Sequence, residues 1–301
     1  MRFPRLADRW MGSGAVLILL AATCFSVKSI FIKLAYRHGV DAATLLALRM
    51  GFSLPFFLAV AAVKWRGRGG LATTRRDWAG VIAMGLLGHY FASYLDFLGL
   101  KYISAGLERL ILFLYPTLVV LLSAHLAGAR ISRREVAATA LSYAGIAMAV
   151  YADISVQQPA ALMGSGLVFV SAVCFAIYLV GSEALIAKLG AAVFTATAMT
   201  VSCAAVMVHF AMTHEMGDLR LPAPVYGWAA AMALVSTVLP AFLVSAGIRR
   251  LGAGRAAVVS SMGPIITIAL GHLVLGEATS TLQLAGAVLV CAGVYAVTRR
   301  A

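Results

Sequence analysis

Six ionisable side chains lie within the long apolar runs of this sequence, where charge is costly. On membrane-insertion scales, a charged group at the bilayer centre costs about 2.5–3.5 kcal/mol, so it usually faces a charged partner or a water-filled cavity. These residues are Lys28, Lys33, Arg49, Asp96, Glu108 and Arg109. The four cations are suited to binding a carboxylate or another anion, and the two acids are suited to carrying a proton. Structural ion pairs, with long side chains that reach the membrane interface, are the alternative interpretation.

Aromatic and imidazole side chains accompany Asp96 on the same apolar run. Tyr94 follows Tyr90 and Phe91, and these rings could line a cavity wall or could pack in the core. His89, near the middle of the run, could relay a proton or could be a hydrogen-bonded packing residue. The sequence leaves both alternatives open.

Two prolines lie at matched places in two apolar runs. Pro116 and Pro264 each remove a backbone donor and free an upstream carbonyl, which predicts a bend in each helix. The bends could be packing kinks, or they could line a central cavity as a pair. In the second case Tyr115, Ser260 and Ser261 would line the cavity with them.

The composition indicates a membrane-spanning helical bundle. Of the 301 residues, 62% are hydrophobic and 12% are charged, and the mean hydropathy is +0.95. The apolar runs are continuous rather than alternating, which excludes a barrel, and each is long enough to cross a hydrocarbon core of about 30 Å. The net charge of +13 lies mostly between the runs and therefore argues against a nucleic-acid surface. The four cysteines lie inside apolar runs and lack the spacing of a metal site, and no cofactor is expected.

We predict an all-α polytopic membrane protein with ten spans joined by short connections. The predicted spans are 12–35, 41–63, 78–99, 104–127, 134–152, 162–183, 191–212, 225–246, 256–275 and 281–298. With a cytoplasmic N-terminus, 17 of the 24 Lys and Arg residues fall in cytoplasmic segments and 3 fall in outer segments. The positive-inside rule therefore predicts a multi-pass protein of the cell (inner or plasma) membrane with both termini in the cytoplasm.

The chain is similar to itself at an offset of 148 to 150 residues, which predicts two repeats, 1–153 and 154–301. The matches pair Ala105-Gly106 with Ala253-Gly254, Pro116 with Pro264, Gly128 with Gly276, Ala144-Gly145 with Ala292-Gly293, and Cys24-Phe25 with Cys174-Phe175. Five spans per repeat is an odd number, so the halves must cross the membrane in opposite directions, as in many secondary transporters. Gly145 and Gly293 are expected in close helix packing, within the chain or in a homodimer.

Short stretches spread over the whole chain resemble one family of membrane proteins. They are Phe31-Ile-Lys33-Leu, Ala47-Leu-Arg49, Leu98-Gly-Leu-Lys-Tyr-Ile-Ser-Ala105, Leu114-Tyr-Pro116, Ser261-Met-Gly-Pro264 and Leu275-Gly-Glu277. On these residues the sequence resembles the EamA-type proteins of the drug/metabolite transporter superfamily. The resemblance implies a transporter, often an exporter of amino acids or other metabolites. Glu277 has no acidic counterpart in the first half, where Ala129 stands, so it is not taken as a site residue.

We therefore expect a secondary carrier that works by alternating access, with a small-molecule substrate and the lipid bilayer as partners. Amino acids or related carboxylate-bearing compounds are the expected substrates, because the buried cations outnumber the buried acids. Proton coupling through Asp96 and Glu108 is a further expectation. The alternatives are an exporter of lipophilic drugs, a passive channel and a membrane-embedded enzyme acting on lipid. No convergent His, Asp or Ser cluster and no P-loop is found, so neither an enzyme nor an ATP-driven pump is predicted.

Overall fold

The computed structural model describes residues 14–66, 73–126, 133–157, 160–241, 243 and 262–298. These residues form helices and turns, with no strand among them. Eight helices are long and apolar enough to cross a membrane, and two more, Gly263–Leu275 and Thr281–Ala296, are shorter and apolar. This arrangement is compatible with the ten predicted spans, the ninth of which begins at residue 256, outside the described residues.

The helices follow the predicted spans with shifts of a few residues at their ends. They are α1 Gly14–Tyr36, α2 Ala42–Arg66, α3 Arg75–Gly99, α4 Ala105–Leu126, α5 Arg133–Gln157, α6 Ala160–Leu189, α7 Ala191–Thr213, α8 Ala223–Ala241, α9 Gly263–Leu275 and α10 Thr281–Thr298. A short 3₁₀ turn, Met216–Leu219, joins α7 to α8. Large apolar side chains such as Leu126, Leu273 and Val288 are exposed, which suits contact with lipid tails.

Helix α4 is discontinuous, and its break lies next to Pro116. The first segment, Ala105–Leu112, is followed by a two-residue turn and by the second segment, Tyr115–Leu126. Pro116 is the second residue of its segment, where the missing N–H leaves no helical hydrogen bond unmade. Pro264 is likewise the second residue of α9, which begins at Gly263. The two segments therefore begin 148 residues apart, at Tyr115 and Gly263.

A π-helical turn interrupts α3 and α8 at the same offset. The turns are Leu86–Phe91 in α3 and Leu234–Val238 in α8, so they too begin 148 residues apart. A π-turn inserts one extra residue into the helix and shifts the direction of the side chains that follow, and such turns are frequent at functional sites. The turns place His89 in α3 and Thr237 in α8 at equivalent positions.

Helices α5 and α10 pack closely through small residues. A Cβ atom on Gly145 would lie 2.6 Å from the Gly286 carbonyl oxygen, and one on Gly293 would lie 2.6 Å from the Ala138 carbonyl oxygen. Ala138 precedes Gly286 by 148 residues, and Gly145 precedes Gly293 by the same number. The contact of Gly145 with Gly286 and the contact of Gly293 with Ala138 are therefore equivalent under this offset. The two glycines lie in a contact within the chain, and the homodimer stays a prediction.

Polar contacts at the two ends of the bundle join segments that the sequence predicts on the same side. At one end, His214 Nε2 lies 3.2 Å from Asp41 Oδ1. At the other end, Lys188 Nζ lies 2.5 Å from Asp77 Oδ2. The topology predicted from the sequence would place the first pair on the outer side and the second pair on the cytoplasmic side.

Candidate functional site

Lys28 of α1 lies between two carboxylates. Its Nζ atom is 2.6 Å from Asp96 Oδ2 on α3 and 3.2 Å from Glu108 Oε1 on α4. Ser29 Oγ donates a hydrogen bond of 2.6 Å to Glu108 Oε2. The side chains of Asp96 and Glu108 are 3% and 0% exposed, and that of Lys28 is 13% exposed. Three helices therefore meet at a buried ion-pair cluster.

An arginine stands at each end of this cluster. Arg49 of α2 lies within electrostatic range of Asp96, and Arg109 follows Glu108 on α4 and acts on it electrostatically. Charges of alternating sign thus run in the order Arg49, Asp96, Lys28, Glu108 and Arg109, a set that we call the charge chain. Three cations and two carboxylates leave a formal charge of +1 in a region of low dielectric constant. Burial of an unpaired charge is costly, so an anionic ligand would stabilise this region.

Arg49 is held in place by two contacts. Its Nε donates a hydrogen bond of 3.0 Å to Thr237 Oγ1 on α8, and its Cζ lies 5.4 Å from the centroid of the Phe97 ring. Thr237 Oγ1 in turn donates to the Met232 carbonyl oxygen at 3.1 Å, which orients the hydroxyl within the π-turn. Arg49 is 7% exposed. Because α2 and α8 belong to different halves of the sequence, this contact joins the halves.

Arg109 faces the start of α9. A Cβ atom on Gly263 would lie 3.1 Å from an Nη atom of Arg109, so the absence of a side chain at Gly263 gives the guanidinium its room. The Nε atom of Arg109 is buried and has no hydrogen-bond partner among the described residues. Ser26 of α1 donates a hydrogen bond of 3.0 Å to the Gly263 carbonyl oxygen. The start of α9 is therefore fixed beside the second end of the charge chain.

Lys33 lies in a second polar cluster, which adjoins the charge chain because Lys33 also acts electrostatically on Glu108. Both carboxylate oxygens of Glu277 accept the backbone N–H of Ala105 at 3.0 Å, which caps the positive end of the α4 dipole. Asp153 Oδ2 accepts the backbone N–H of Ser104 at 3.2 Å, and Lys33 acts electrostatically on both acids. Burial raises the pKa of Glu277 above its ordinary value, while the Ala105 N–H and Lys33 lower it in part.

Tyr94 and His89 lie in aromatic contacts of α3 with α6 and α7. Tyr94 stacks on Tyr90 with ring centroids 6.5 Å apart and meets His209 edge-on at 4.8 Å. The Tyr90 hydroxyl and His209 Nδ1 are 2.9 Å apart. His89 meets Tyr178 edge-on at 4.6 Å, and its Nε2 atom is buried without a hydrogen-bond partner among the described residues. These contacts correspond to the packing alternative, and a role in a cavity wall stays a prediction.

The remaining residues predicted for the site lie near Arg109 or outside the described residues. Tyr115 meets Phe175 of α6 edge-on with centroids 5.4 Å apart, and Pro116 and Pro264 are buried. Ser260 and Ser261 lie outside the described residues. Of the six charges expected to share one region, five form the charge chain, and Lys33 adjoins it through its electrostatic interaction with Glu108.

Four polar residues of the site were missed by the sequence analysis. Ser29 and Thr237 are hydroxyl residues within apolar helices, where they attract no notice unless a partner is known. Thr237 could have been found, because it follows His89 by 148 residues. Asp153 could also have been found as the acid directly after the fifth predicted span. Glu277 was set aside because the first half has no counterpart, although a repeat need not conserve its polar side chains.

The chain is similar to a family of transporters and to curated proteins that are named as uncharacterized transporters. The model of the EamA-like transporter family matches residues 12–151 and 162–299. The uncharacterized transporter YcbK of Bacillus subtilis (strain 168) is 31% identical over 291 residues, covering 95% of this chain and 92% of that protein. An uncharacterized transporter of Archaeoglobus fulgidus is 26% identical over 288 residues, covering 95% and 96%. A solved crystal structure matches with a TM-score of 0.66 and 21% identity, covering 96% of this chain and 99% of the other, which shows a shared fold.

Proposed function

Because this chain belongs to the EamA-like transporter family and is a multi-pass membrane transporter, we propose that it is a secondary carrier of carboxylate-bearing metabolites, amino acids in particular. We propose that it exports them across the cell membrane by alternating access, with both termini in the cytoplasm. The distribution of Lys and Arg supports the orientation. The resemblance of the sequence to metabolite exporters supports the direction.

The observation that carries the substrate class is the formal charge of +1 in the buried charge chain. A carboxylate neutralises this charge where water is scarce. An amino acid also brings an ammonium group, which needs an acceptor. Asp96 Oδ1 is buried and has no hydrogen-bond partner among the described residues, so it is suited to that role. A lipophilic cation would instead add to the positive charge.

Three matched features support an inverted repeat with units 1–153 and 154–301. They are the helix starts at Tyr115 and Gly263, the two π-turns, and the reciprocal contacts between α5 and α10. In such carriers the two repeats rock about a site near the middle of the membrane. The charge chain is suited to that site, because Arg49 and Arg109 each contact a helix of the other half.

Proton coupling is the further step that we propose for this carrier. The carboxyl groups of Asp96 and Glu108 lie next to each other and share one ammonium partner. Two adjacent carboxyl groups that compete for one cation favour binding of a proton by one of them. If Asp96→Asn and Glu108→Gln each transport identically to the natural protein from pH 5 to pH 9, coupling through these residues is excluded.

Counterflow in proteoliposomes tests the proposed function. Vesicles loaded with unlabelled amino acids should accelerate the entry of a labelled amino acid, and the rate should saturate with concentration, because a carrier returns faster when loaded. A flux that stays linear to high concentration, with no acceleration by internal substrate, would identify a channel. Counterflow of lipophilic cations without counterflow of amino acids would identify a drug exporter.

A further inference from the structure

Arg49 has an unusual environment for a buried cation. It is 7% exposed, yet it makes no ion pair within 4.0 Å among the described residues. Its one hydrogen bond to a described residue is that from Nε to Thr237. A buried guanidinium without a carboxylate partner is costly, and such groups in membranes usually serve a ligand or a pathway.

The contacts of Arg49 leave its terminal nitrogens as the remaining donors. The Nε–H is donated to Thr237, and the centroid of the Phe97 ring lies 5.4 Å from Cζ. The edge formed by Nη1 and Nη2 has no hydrogen-bond partner among the described residues. That edge presents two parallel N–H groups, which match the two oxygens of a carboxylate.

The other cations of the charge chain are less suited to a carboxylate. Lys28 is already shared by Asp96 and Glu108, at 2.6 and 3.2 Å. Arg109 lies against Gly263, which occupies one side of its guanidinium. Arg49 also lies within electrostatic range of Asp96, whose Oδ1 has no hydrogen-bond partner among the described residues, and the two side chains form no ion pair within 4.0 Å.

We propose that Arg49 binds the carboxylate of the substrate through Nη1 and Nη2, and that Thr237 positions it for this contact. The inference rests on the proposed function and names the residue that determines specificity within it. Thr237 does not touch the substrate. It acts by holding the guanidinium so that its fork faces the space beside Asp96.

The test compares acid and amide forms of the same ligand. Leucine and leucinamide, and phenylalanine and phenylalaninamide, are added to the purified full chain, and affinity is taken from the rise in thermal stability and from competition in counterflow. The natural protein should bind each acid at least about tenfold more tightly than its amide, since a hydrogen-bonded charge is lost with the amide. Arg49→Gln should abolish this preference, and Arg49→Lys should restore part of it.

Two further variants distinguish recognition by Arg49 from a general effect of charge. Arg109→Gln removes the same charge from the other end of the charge chain, so it should lower the acid-to-amide preference by less than Arg49→Gln does, and the difference between the two variants measures the direct contact that Arg49 makes. Thr237→Val retains the charge of Arg49 but removes the hydroxyl that accepts its Nε–H. It should reduce the acid-to-amide preference by about tenfold, while the variant elutes from a size-exclusion column at the same volume as the natural protein.

Several outcomes would overturn the inference. An unchanged preference in Arg49→Gln, or an equal loss in Arg49→Gln and Arg109→Gln, shows that Arg49 does not recognise the carboxylate, while the carrier function stands. If Arg49→Gln does not fold, an unchanged preference in Thr237→Val overturns the positioning of Arg49. If the natural protein prefers neither acid to its amide, the proposed substrate class fails and this inference fails with it.

Discussion

The π-turns of α3 and α8 occupy equivalent places in the two halves but meet different side chains. Thr237 in α8 accepts a hydrogen bond from Arg49, whereas His89, its counterpart in α3, packs against Tyr178. The residue that follows Arg49 by 149 positions is Ala198 on α7, which brings no charge. The π-turn of α8 therefore supports a cation, whereas the π-turn of α3 supports only packing.

The difference shows that two halves with matched backbone features can carry a polar site in only one of them. The helix starts at Tyr115 and Gly263 and the π-turns of α3 and α8 recur at one offset, whereas the π-turn Gly271–Leu275 of α9 has no counterpart in the described part of α4. Polar side chains need not recur, since one site suffices for one substrate. The first half of the sequence supplies all five members of the charge chain, and the described helices of the second half supply supports such as Thr237 and Gly263.

The largest effect is expected from Lys28, whose removal leaves two carboxylates buried without their cation. Lys28→Met should lower the free energy of unfolding in detergent by about 3–5 kcal/mol, and Lys28→Met with Asp96→Asn should recover part of this loss. Tyr178 follows Lys28 by 150 residues, and Tyr178→Phe should change stability little. Equal losses in the single and double variants of Lys28 would show that the ion pair is not what Lys28 contributes.

A smaller difference in unfolding free energy should distinguish the π-turn of α8 from the π-turn of α3. Thr237→Val removes a hydrogen bond to a charged group and should cost about 1.5–3 kcal/mol of unfolding free energy. His89→Phe removes a buried nitrogen that has no partner among the described residues, and it should cost nothing or stabilise the protein. Similar losses in both variants, measured by urea unfolding in the same detergent, would contradict the asymmetry.

The contact between α5 and α10 should respond in the same way from either half. Gly145→Ala and Gly293→Ala each force a methyl group against a backbone carbonyl and should each cost about 1–3 kcal/mol. Gly166 on α6 has open space around it, so Gly166→Ala should stabilise the protein slightly. Thermal unfolding of the three variants measures this, and a loss in one of the two contact variants alone would argue against reciprocal packing.

The smallest effect is expected at the exposed ion pair between α3 and α6. The side chain of Lys188 is 40% exposed, so Lys188→Ala should cost about 0.2–1 kcal/mol, and the difference should shrink in 1 M salt, where the screening length is about 3 Å. A loss as large as that of Lys28→Met would show that the end of the bundle, rather than its centre, carries the main electrostatic stabilisation.

Hydropathy predicted the positions of the helices well, because the bilayer dictates both their length and their composition. The offset of 148 residues was likewise visible in the sequence, and the π-turns and helix starts follow it. The five members of the charge chain were all identified by type, since charge inside an apolar run stands out.

The pairing of these charges could not be predicted, because it depends on how each helix is rotated about its axis. Lys28 and Lys33 lie on one helix, yet Lys28 joins Asp96 and Lys33 lies near Glu277. The contact between Arg49 and Thr237 crosses from one half to the other, and no local pattern in the sequence encodes it. The expected excess of buried cations over buried acids also changed, because Asp153 and Glu277 add two acids near Lys33.

In the proposed carrier, the charge chain lies on a pathway that opens to each side of the membrane in turn. Ser29 is buried beside Glu108, and Ser142 is equally buried on α5, so the two make a matched pair. Each is replaced by cysteine in a protein whose four native cysteines are alanine, and a small membrane-impermeant thiosulfonate is added to right-side-out or inside-out vesicles.

Ser29→Cys should be modified from both sides, at rates that change when saturating amino acid is present, whereas Ser142→Cys should be modified from neither. If Ser29→Cys is modified from neither side while counterflow proceeds, the charge chain is a structural ion-pair cluster and the pathway lies elsewhere.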